Sequence, residues 1–342
     1  MSFTPAVAPA PLDTIMQMAS GYIMSAALYS TTKLGIPDLL QNGPRATKDL
    51  AKATNCNEDA LYRTLRALAG VGIFRETSSR IFELTVPAET LCTKAPHSMR
   101  DMVLWIADPF HFKIHAELPY ALETGSTVCK RVTGLACFDY LTKDKEESEV
   151  FNRAMTNLSA ALIPAVLDAY DFSYLNGKTL VDVAGGHGHA LTAILQKYPQ
   201  INGVLFDLEH VVAGAGAGIE KLGLRERCST ASGDFFKAVP AADAYFMKSI
   251  LHDWDDERAS TILQCCYRSG PKNTKVILVE TVIAPGNEPH MAKWLDIEML
   301  LLPGGRERTE AEFCELFSKA GFRLTRVVST KSPVSIIEAE KL

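Results

Sequence analysis

The chain has 342 residues, of which 47% are hydrophobic and 22% are charged, and a formal net charge of −5. This composition excludes a disordered chain, and the slight negative charge disfavours nucleic acid as a partner. The length suffices for two domains with hydrophobic cores. Residues 1–11 lack the basic start and apolar run of a signal peptide, and no later run approaches the roughly 20 apolar residues of a membrane span. We therefore expect a cytoplasmic protein that does not bind membranes.

The apolar residues before about residue 170 recur mostly at intervals of three and four, as Leu61, Leu65 and Leu68 do, which predicts helices. Residues 46–85 have the pattern of a winged helix-turn-helix. Its predicted elements are helices at 47–53 and 58–69 and short strands at 73–76 and 80–84.

DNA binding is one interpretation of this winged-helix pattern, and packing or dimerisation is the other. From Arg45 to Thr85 there are seven Lys or Arg and five Asp or Glu, and the helix that would read DNA offers only Arg63 and Arg66. Duplex binding usually takes about six to ten phosphate contacts. The charge count therefore favours packing or dimerisation.

After residue 178 the sequence repeats a pattern of strand, glycine and helix. Such alternation predicts an α/β fold with a parallel, doubly wound sheet, and the last two apolar runs predict two closing strands. The predicted strands lie at 179–184, 203–207, 227–231, 243–247, 275–280, 322–329 and 334–340.

The first of these strands ends in a glycine-rich turn, Ala184-Gly-Gly-His-Gly188, directly before a predicted helix. Glycines there leave backbone N–H groups at a helix N-terminus, where a ligand can approach the backbone closely. The dinucleotide fingerprint Gly-x-Gly-x-x-Gly is incomplete, because Leu191 stands where the third glycine belongs. The turn predicts a cofactor loop, and nicotinamide cofactors are disfavoured.

Three carboxylates follow at predicted strand ends, namely Asp207, Asp234 and Glu280. Ligands of doubly wound folds bind at this edge of the sheet. Asp207 is placed to accept both ribose hydroxyls of a nucleoside, and Asp234 to accept from an adenine amine, with Phe235 covering the ring. The alternatives are a helix-cap or surface role for Asp207 and a turn role for Asp234.

A general base is predicted in the segment Phe246-Met-Lys-Ser-Ile-Leu-His-Asp-Trp254, where an apolar strand runs into a short turn. This turn presents Lys248, His252 and Trp254 at the carboxyl edge of the sheet. Neutral imidazole is the side chain best suited to accept a proton near neutral pH. The alternative for His252 is a structural role as a cap of the next helix.

Six motifs in this order resemble those of the caffeate/flavonoid-type, or class II, S-adenosylmethionine-dependent O-methyltransferases. They are Val-Asp-Val-Ala-Gly-Gly-His-Gly, Phe-Asp-Leu, Gly-Asp-Phe-Phe, Met-Lys-Ser-Ile-Leu-His-Asp-Trp, Val-Glu-Thr and Pro303-Gly-Gly-Arg-Glu-Arg-Thr309. The resemblance implies a Rossmann-like methyltransferase domain at 96–342, with a helical lead-in at 96–175 and the core at 176–342. It also implies a mainly helical, winged-helix-like dimerisation domain at 1–95, and hence a homodimer.

The resemblance also assigns roles to individual residues, with S-adenosyl-L-methionine as cofactor, S-adenosyl-L-homocysteine as its product and a small aromatic hydroxyl compound as acceptor. His252 is the general base, flanked by Glu280 and Glu307, and no metal is needed. The implied cofactor residues are Gly185, Gly186, Gly188, Asp207, Leu208, Asp234, Phe235 and Lys248. The implied acceptor residues are Met155, Asp253, Trp254 and Met299.

Other interpretations of these residues stay open at this point. Glu280 could be a salt-bridge partner at the sheet end, and Glu307 a solvated loop charge. His111 and His115 could share a metal, although no third ligand is evident. The scaffold could also serve a C- or N-methyltransferase, or a non-catalytic regulator that senses the cofactor and binds DNA.

Two residues bear directly on the implied site. Ala184 stands where many relatives have the first of three glycines. An alanine costs little there if φ is negative, so we expect cofactor binding to survive. Glu298 puts a possible charge beside the expected acceptor pocket, where it either faces away or binds a polar or cationic acceptor.

Overall fold

A computed structural model of the protein describes residues 10–96 and 98–342. The chain divides into two compact units, and the division follows Phe112.

The N-terminal unit is mainly helical and contains a small antiparallel sheet. Its helices are α1 (Pro11–Ala19), α2 (Gly21–Lys33), α3 (Ile36–Leu40), α4 (Thr47–Thr54), α5 (Glu58–Gly70), α6 (Val86–Glu89), α7 (Arg100–Ile106) and the start of α8 (Pro109–Ala116). Its strands are β1 (Arg45–Ala46), β2 (Phe74–Ser78) and β3 (Ile81–Leu84), in the order β1-β3-β2.

The winged-helix pattern predicted at residues 46–85 is confirmed. Helix α5 begins where the Asn57 side chain accepts a hydrogen bond of 3.0 Å from the Ala60 amide, a typical N-cap. The regularly spaced Leu61, Leu65 and Leu68 are all buried. They belong to the core of this unit, together with Phe74 and Phe82 of the hairpin.

The second unit is built on a seven-stranded sheet with the order β6-β5-β4-β7-β8-β10-β9. Its strands are β4 (Thr179–Val183), β5 (Asn202–Asp207), β6 (Cys228–Ser232), β7 (Ala244–Lys248), β8 (Lys275–Glu280), β9 (Phe322–Ser329) and β10 (Ser335–Lys341). Its helices after α8 are α9 (Leu118–Thr124), α10 (Cys129–Thr133), α11 (Cys137–Lys143), α12 (Lys145–Ala169), α13 (His189–Lys197), α14 (Glu209–Val212), α15 (Ala215–Lys221), α16 (Asp256–Ser269), α17 (Ala292–Leu301) and α18 (Glu310–Lys319), with short 3-10 turns at Ser173–Leu175 and Leu251–Asp253.

The doubly wound sheet with two closing strands is confirmed, and every predicted strand lies within one residue of its observed bounds. β4 to β8 pair in parallel, whereas β10 pairs antiparallel with β8 and β9. Consecutive residues of the central strand β7, such as Tyr245, Phe246 and Met247, are fully buried because both faces of the sheet are covered. The parallel strands therefore place their carboxyl ends, and the acids that follow them, at one edge.

The expectation that no segment is long and apolar enough to cross a membrane was too strict, because α12 meets that criterion by length and composition. Helices in the cores of soluble proteins meet it as well. Leu162, Ile163 and Val166 of α12 are buried in the core on one face of the sheet. Through these residues α12 packs against the sheet of this unit.

Candidate active site

The glycine turn after β4 is packed too closely for side chains at its centre. A Cβ atom on Gly185 would lie 2.5 Å from the Asp182 carboxylate and 2.5 Å from the Leu205 side chain. Gly186 and Gly188 have φ angles of +59° and +79°, which favour glycine. Gly185 is therefore required by its packing against β4 and β5, whereas a Cβ on Gly186 would meet no protein atom within 4 Å.

Ala184 corrects one expectation, because its φ angle is +58° and not negative. The turn folds back over the end of β5, where the amides of Ala184 and Gly185 both donate to the Phe206 carbonyl oxygen at 2.7 Å and 3.4 Å. These two hydrogen bonds require a residue with a left-handed backbone conformation at the end of the strand. An L residue other than glycine costs about 1–2 kcal/mol in that conformation.

Asp207 ends β5 and is bound to the glycine turn. Its Oδ2 accepts a hydrogen bond of 2.8 Å from the Gly186 amide, and its Oδ1 accepts one of 2.7 Å from the amide of Leu208, which is about half exposed. Burial raises the pKa of Asp207, and the two amide donors oppose that shift. The carboxylate lies where the turn and the strand end meet.

Asp182 is a residue of this site that sequence reasoning missed. Its carboxylate is buried within β4, under the turn, and its Oδ2 has no hydrogen-bond partner among residues 10–96 and 98–342. Burial raises the pKa of Asp182 to about 7, with the Lys248 charge opposing. Burial also lowers the pKa of Lys248, against the attraction of Glu280, Asp182 and Asp253. A single acid within the apolar run Leu180-Val-Asp-Val183 was the available signal.

Asp234 and Phe235 follow β6 and lie beside the Asp207 strand end, because the Gly233 amide donates to the Asp207 carbonyl oxygen at 3.0 Å. Asp234 accepts a hydrogen bond of 2.9 Å from the Phe236 amide and also pairs with Lys237 at 3.2 Å. These local contacts are those of a turn residue. An open cavity of about 310 Å³ lies next to Asp234.

His252 lies in the 3-10 turn Leu251–Asp253 after β7, and two buried glutamates face its ring. Nδ1 is 2.7 Å from Oε1 of Glu307 and 3.8 Å from Oε2 of Glu280, and Nε2 is 3.6 Å from Oδ1 of Asp253. Glu307 is only 1% exposed, so its interpretation as a solvated loop charge is wrong. The structure thus brings together His252, Glu280 and Glu307, the three residues predicted as catalytic.

Each glutamate is held by further hydrogen bonds. Oε1 of Glu280 accepts from the amides of Ile250 and Leu251 at 3.0 Å and 2.9 Å, which caps the turn that carries His252. The Thr281 hydroxyl donates to Oε2 of Glu307, and the Glu307 amide donates to Oδ1 of Asp296 at 2.8 Å. Sequence reasoning missed Thr281 and Asp296, although Thr281 directly follows Glu280.

The charges around His252 determine its protonation. Burial lowers the pKa of its imidazole, but Glu280, Asp253 and Glu307 outweigh burial and raise the pKa to about 10. Burial raises the pKa of Asp253 to about 7, with His252 opposing, and also raises the pKa of Glu280. The ligand atoms of His252, Glu280 and Glu307 lie within 4.8 Å of one another, a spacing that a metal ion could use. Nδ1 of His252 and Oε1 of Glu307 contact each other directly, whereas Oε2 of Glu280 has no hydrogen-bond partner among the described residues.

The residues predicted for the acceptor are spread over several elements. Trp254 follows His252, and its ring centroid is 5.6 Å from that of Phe138 and 5.9 Å from that of Phe235. Met299 is buried on α17, and Met155 lies partly buried on α12.

His111 and His115, the two histidines that could share a metal, each contact a different carboxylate. Nδ1 of His111 is 2.8 Å from Oδ1 of Asp108, and Nε2 of His115 is 2.7 Å from Oε2 of Glu298. His115 therefore pairs with Glu298, the charge that the sequence predicted beside the acceptor.

Comparison with known proteins identifies the family of this chain. The O-methyltransferase domain family matches residues 115–323, and the O-methyltransferase dimerisation domain family matches residues 16–94. The phenazine O-methyltransferase PhzM of Lysobacter antibioticus is 40% identical over 97% of both chains. The chain belongs to the class II S-adenosylmethionine-dependent O-methyltransferases.

Solved structures of this O-methyltransferase family have the same fold. The crystal structure of LaPhzM is 40% identical with a TM-score of 0.91, and covers 97% of this chain and 100% of its own. An O-methyltransferase from neocarzinostatin biosynthesis, solved with S-adenosylmethionine and 2-hydroxy-5-methyl naphthoic acid, is 27% identical with a TM-score of 0.83, over 98% and 100% of the two chains. One relative of different chemistry is the 8-amino-8-demethylriboflavin N,N-dimethyltransferase of Streptomyces davaonensis, 32% identical over 91% of this chain and 90% of its own. The protein is an enzyme of this family, and its cofactor is S-adenosylmethionine.

Proposed function

We propose that this O-methyltransferase methylates a hydroxyl group of a small aromatic acceptor and that His252 is the general base. The observation that carries the proposal is the 2.7 Å contact between Nδ1 of His252 and Glu307, a carboxylate buried at the carboxyl edge of the sheet. A buried acid that holds one ring nitrogen leaves the other to exchange a proton with a substrate, as in hydrolase triads.

The residues of the glycine turn fit the cofactor. The turn is open at Gly186, where a Cβ would meet no protein atom within 4 Å, and Asp207 presents a carboxylate at the adjoining strand end. We assign Gly185, Gly186 and Gly188 to its methionine part and Asp207 with Leu208 to the ribose. Asp234, Phe235 and Lys248 belong to the adenine side in this assignment. When bound, S-adenosylmethionine supplies an electrophilic methyl group on a sulfonium centre.

His252 would remove the proton of the acceptor hydroxyl. If Nδ1–H donates to Oε1 of Glu307, Nε2 carries the free lone pair and is the basic atom. Because the pKa of His252 is about 10, the neutral imidazole is a minor form at neutral pH. A cation bound nearby would lower that pKa and so increase the fraction of neutral imidazole. Glu307 and Glu280 would orient the ring and stabilise the imidazolium that forms.

The acceptor is assigned to the side of the turn that carries Asp253 and Trp254, with Met155 and Met299 as further contacts. An aromatic ligand bound to a solved relative supports this class of acceptor.

The N-terminal domain, residues 1–95, would form a homodimer, with the methyltransferase domain from residue 96. Leu12, Ile15 and Met18 of α1 are each more than half exposed, an apolar surface that a second copy could cover. We propose that this dimer acts in the cytoplasm.

The decisive experiment replaces the base. His252→Ala should keep the affinity for S-adenosylhomocysteine, measured by calorimetry, and lower turnover at least about a hundredfold. His290→Ala removes an imidazole outside the site and should leave turnover unchanged. Near-normal turnover of His252→Ala would refute the assigned role.

N-methylation is the second candidate, because one relative that matches nearly the whole chain is an N,N-dimethyltransferase. Mass spectrometry of the product formed with hydroxyl and amine analogues of one aromatic acceptor separates the two reactions. Transfer to the amine alone would replace the first proposal.

A further inference from the structure

Two segments distant in sequence form the base site. We call them the His252 turn, residues 250–256, and the Glu307 segment, residues 303–309. They are packed backbone to backbone, since the Arg306 amide donates to the His252 carbonyl oxygen at 2.8 Å. A Cβ on Gly305 would lie 2.0 Å from that same oxygen.

Arg308 joins these segments with its side chain, which is completely buried. Its Nη1 donates to the Leu251 carbonyl oxygen at 2.9 Å and its Nη2 to the Trp254 carbonyl oxygen at 2.8 Å, on either side of His252. Its Nε donates to Oδ1 of Asp256 at 2.9 Å. The guanidinium thus binds the His252 turn at three points.

The Glu307 segment is also attached to the sheet. The Arg308 carbonyl oxygen accepts a hydrogen bond of 3.0 Å from the Ile283 amide, just beyond β8. Arg308 is therefore bound by its backbone to the segment that follows β8 and by its side chain to the turn that carries His252.

We propose that Arg308 is a positioning residue of the methyl-transfer reaction, which holds the His252 turn against Glu307 so that the imidazole and the carboxylate stay in hydrogen-bond contact. This inference rests on the proposed role of His252. A buried guanidinium is costly unless its donors are used, and here they bind carbonyl oxygens in a fixed planar arrangement. Lysine carries the same charge but has no planar fork, so it cannot reproduce these contacts.

The test is Arg308→Lys, which keeps the positive charge and removes the planar guanidinium group. Turnover should fall about tenfold to a hundredfold, as expected for a displacement of a catalytic group by a fraction of an ångström to 1 Å. The affinity for S-adenosylhomocysteine should stay within about twofold, because no cofactor residue is altered.

A second readout does not depend on any acceptor. NMR titration of His252 should give a lower pKa in Arg308→Lys than in the unaltered protein, because Glu307 is less closely held while Glu280, Asp253 and Lys248 keep their places. Arg326→Lys is the matched control, since Arg326 pairs at 3.0 Å with the buried Glu338 on the far strands. It should lower stability without changing turnover or the His252 titration.

Kinetics of a double variant show whether Arg308 acts through Glu307. Arg308→Lys combined with Glu307→Gln should be no slower than Glu307→Gln alone. Additive losses, or an unchanged His252 titration in Arg308→Lys, would overturn the inference. If Arg308→Lys does not fold, Asp256→Ala removes the acceptor of the Nε hydrogen bond and should shift the titration in the same direction. No shift in that variant would count equally against the inference. Absence of methyl transfer to any hydroxyl would refute the proposed function while leaving the titration result valid.

Discussion

The Gly186 amide donates a 2.8 Å hydrogen bond to the Asp207 carboxylate, which joins the turn after β4 to the end of β5. Two motifs that were recognised separately in the sequence are therefore one structural unit. A change at Asp207 acts on the glycine turn as well as on any ligand.

We predict that Asp207→Asn weakens S-adenosylhomocysteine binding about tenfold to a hundredfold. Hydrogen bonds to a charged group contribute about 1.5–3 kcal/mol, and the amide can present only one oxygen where the carboxylate presents two. Calorimetry measures the affinity, and Asp168→Asn on the exposed side of α12 is the control. An affinity within about twofold of the unaltered protein would contradict the assignment.

Ala184→Gly should raise the free energy of unfolding by up to about 1 kcal/mol. Relief of the left-handed conformation gains about 1–2 kcal/mol, and the greater flexibility of glycine in the unfolded chain removes about half of it. Chemical denaturation measures the change. Ala193→Gly, in the middle of α13, should instead lose about 1 kcal/mol. A loss at both positions would show that residue 184 is not strained.

Glu307→Gln should move the rising limb of the pH profile of kcat/KM to lower pH. The base must lose its proton to act, so activity rises with pH through the His252 pKa, which is about 10 in the free protein. Loss of a carboxylate at 2.7 Å lowers that pKa toward the ordinary value of about 6.5. The maximal rate should fall as well, because the ring is less well oriented. If the rising limb of the profile stayed at the same pH, Glu307 would not control the titration of His252.

A stability prediction concerns Glu338, a buried acid of β10. Burial alone would raise its pKa, but hydrogen bonds from Tyr170, Lys275, Arg326 and Thr325 hold the pKa at about 2. Its pKa is lower in the folded chain than in the unfolded chain, where it is about 4.3. Its contribution is therefore complete above about pH 4.3 and disappears as the pH falls toward 2.

Glu338→Gln should accordingly lower the free energy of unfolding by roughly 1–3 kcal/mol at pH 7, and by much less at pH 2.5. Urea denaturation at the two pH values measures this. Glu340→Gln, on the same strand, is the control. An equal loss at both pH values would mean that packing, and not charge, is the contribution of Glu338.

Local signals sufficed to predict the sheet and the residues at its edge. The spacing of apolar residues and the positions of the glycines predicted β4 and its turn. The acidic residues at the ends of predicted strands indicated Asp207 and Glu280. Arg308 could not be found in this way, because its role comes from contacts with residues more than 50 positions earlier. Ala184 was misjudged because alanine ordinarily avoids positive φ, whereas here two amide bonds to the Phe206 carbonyl oxygen impose it.

The position of β10 between β8 and β9 also constrains how the sheet can assemble during synthesis. β9 emerges first, but it pairs only with β10, so it has no place in the sheet until residues 335–341 have followed it. Until then the backbone of β8 is an open edge that another chain could pair with. β10 therefore has two tasks, since it gives β9 its place in the sheet and covers the edge of β8.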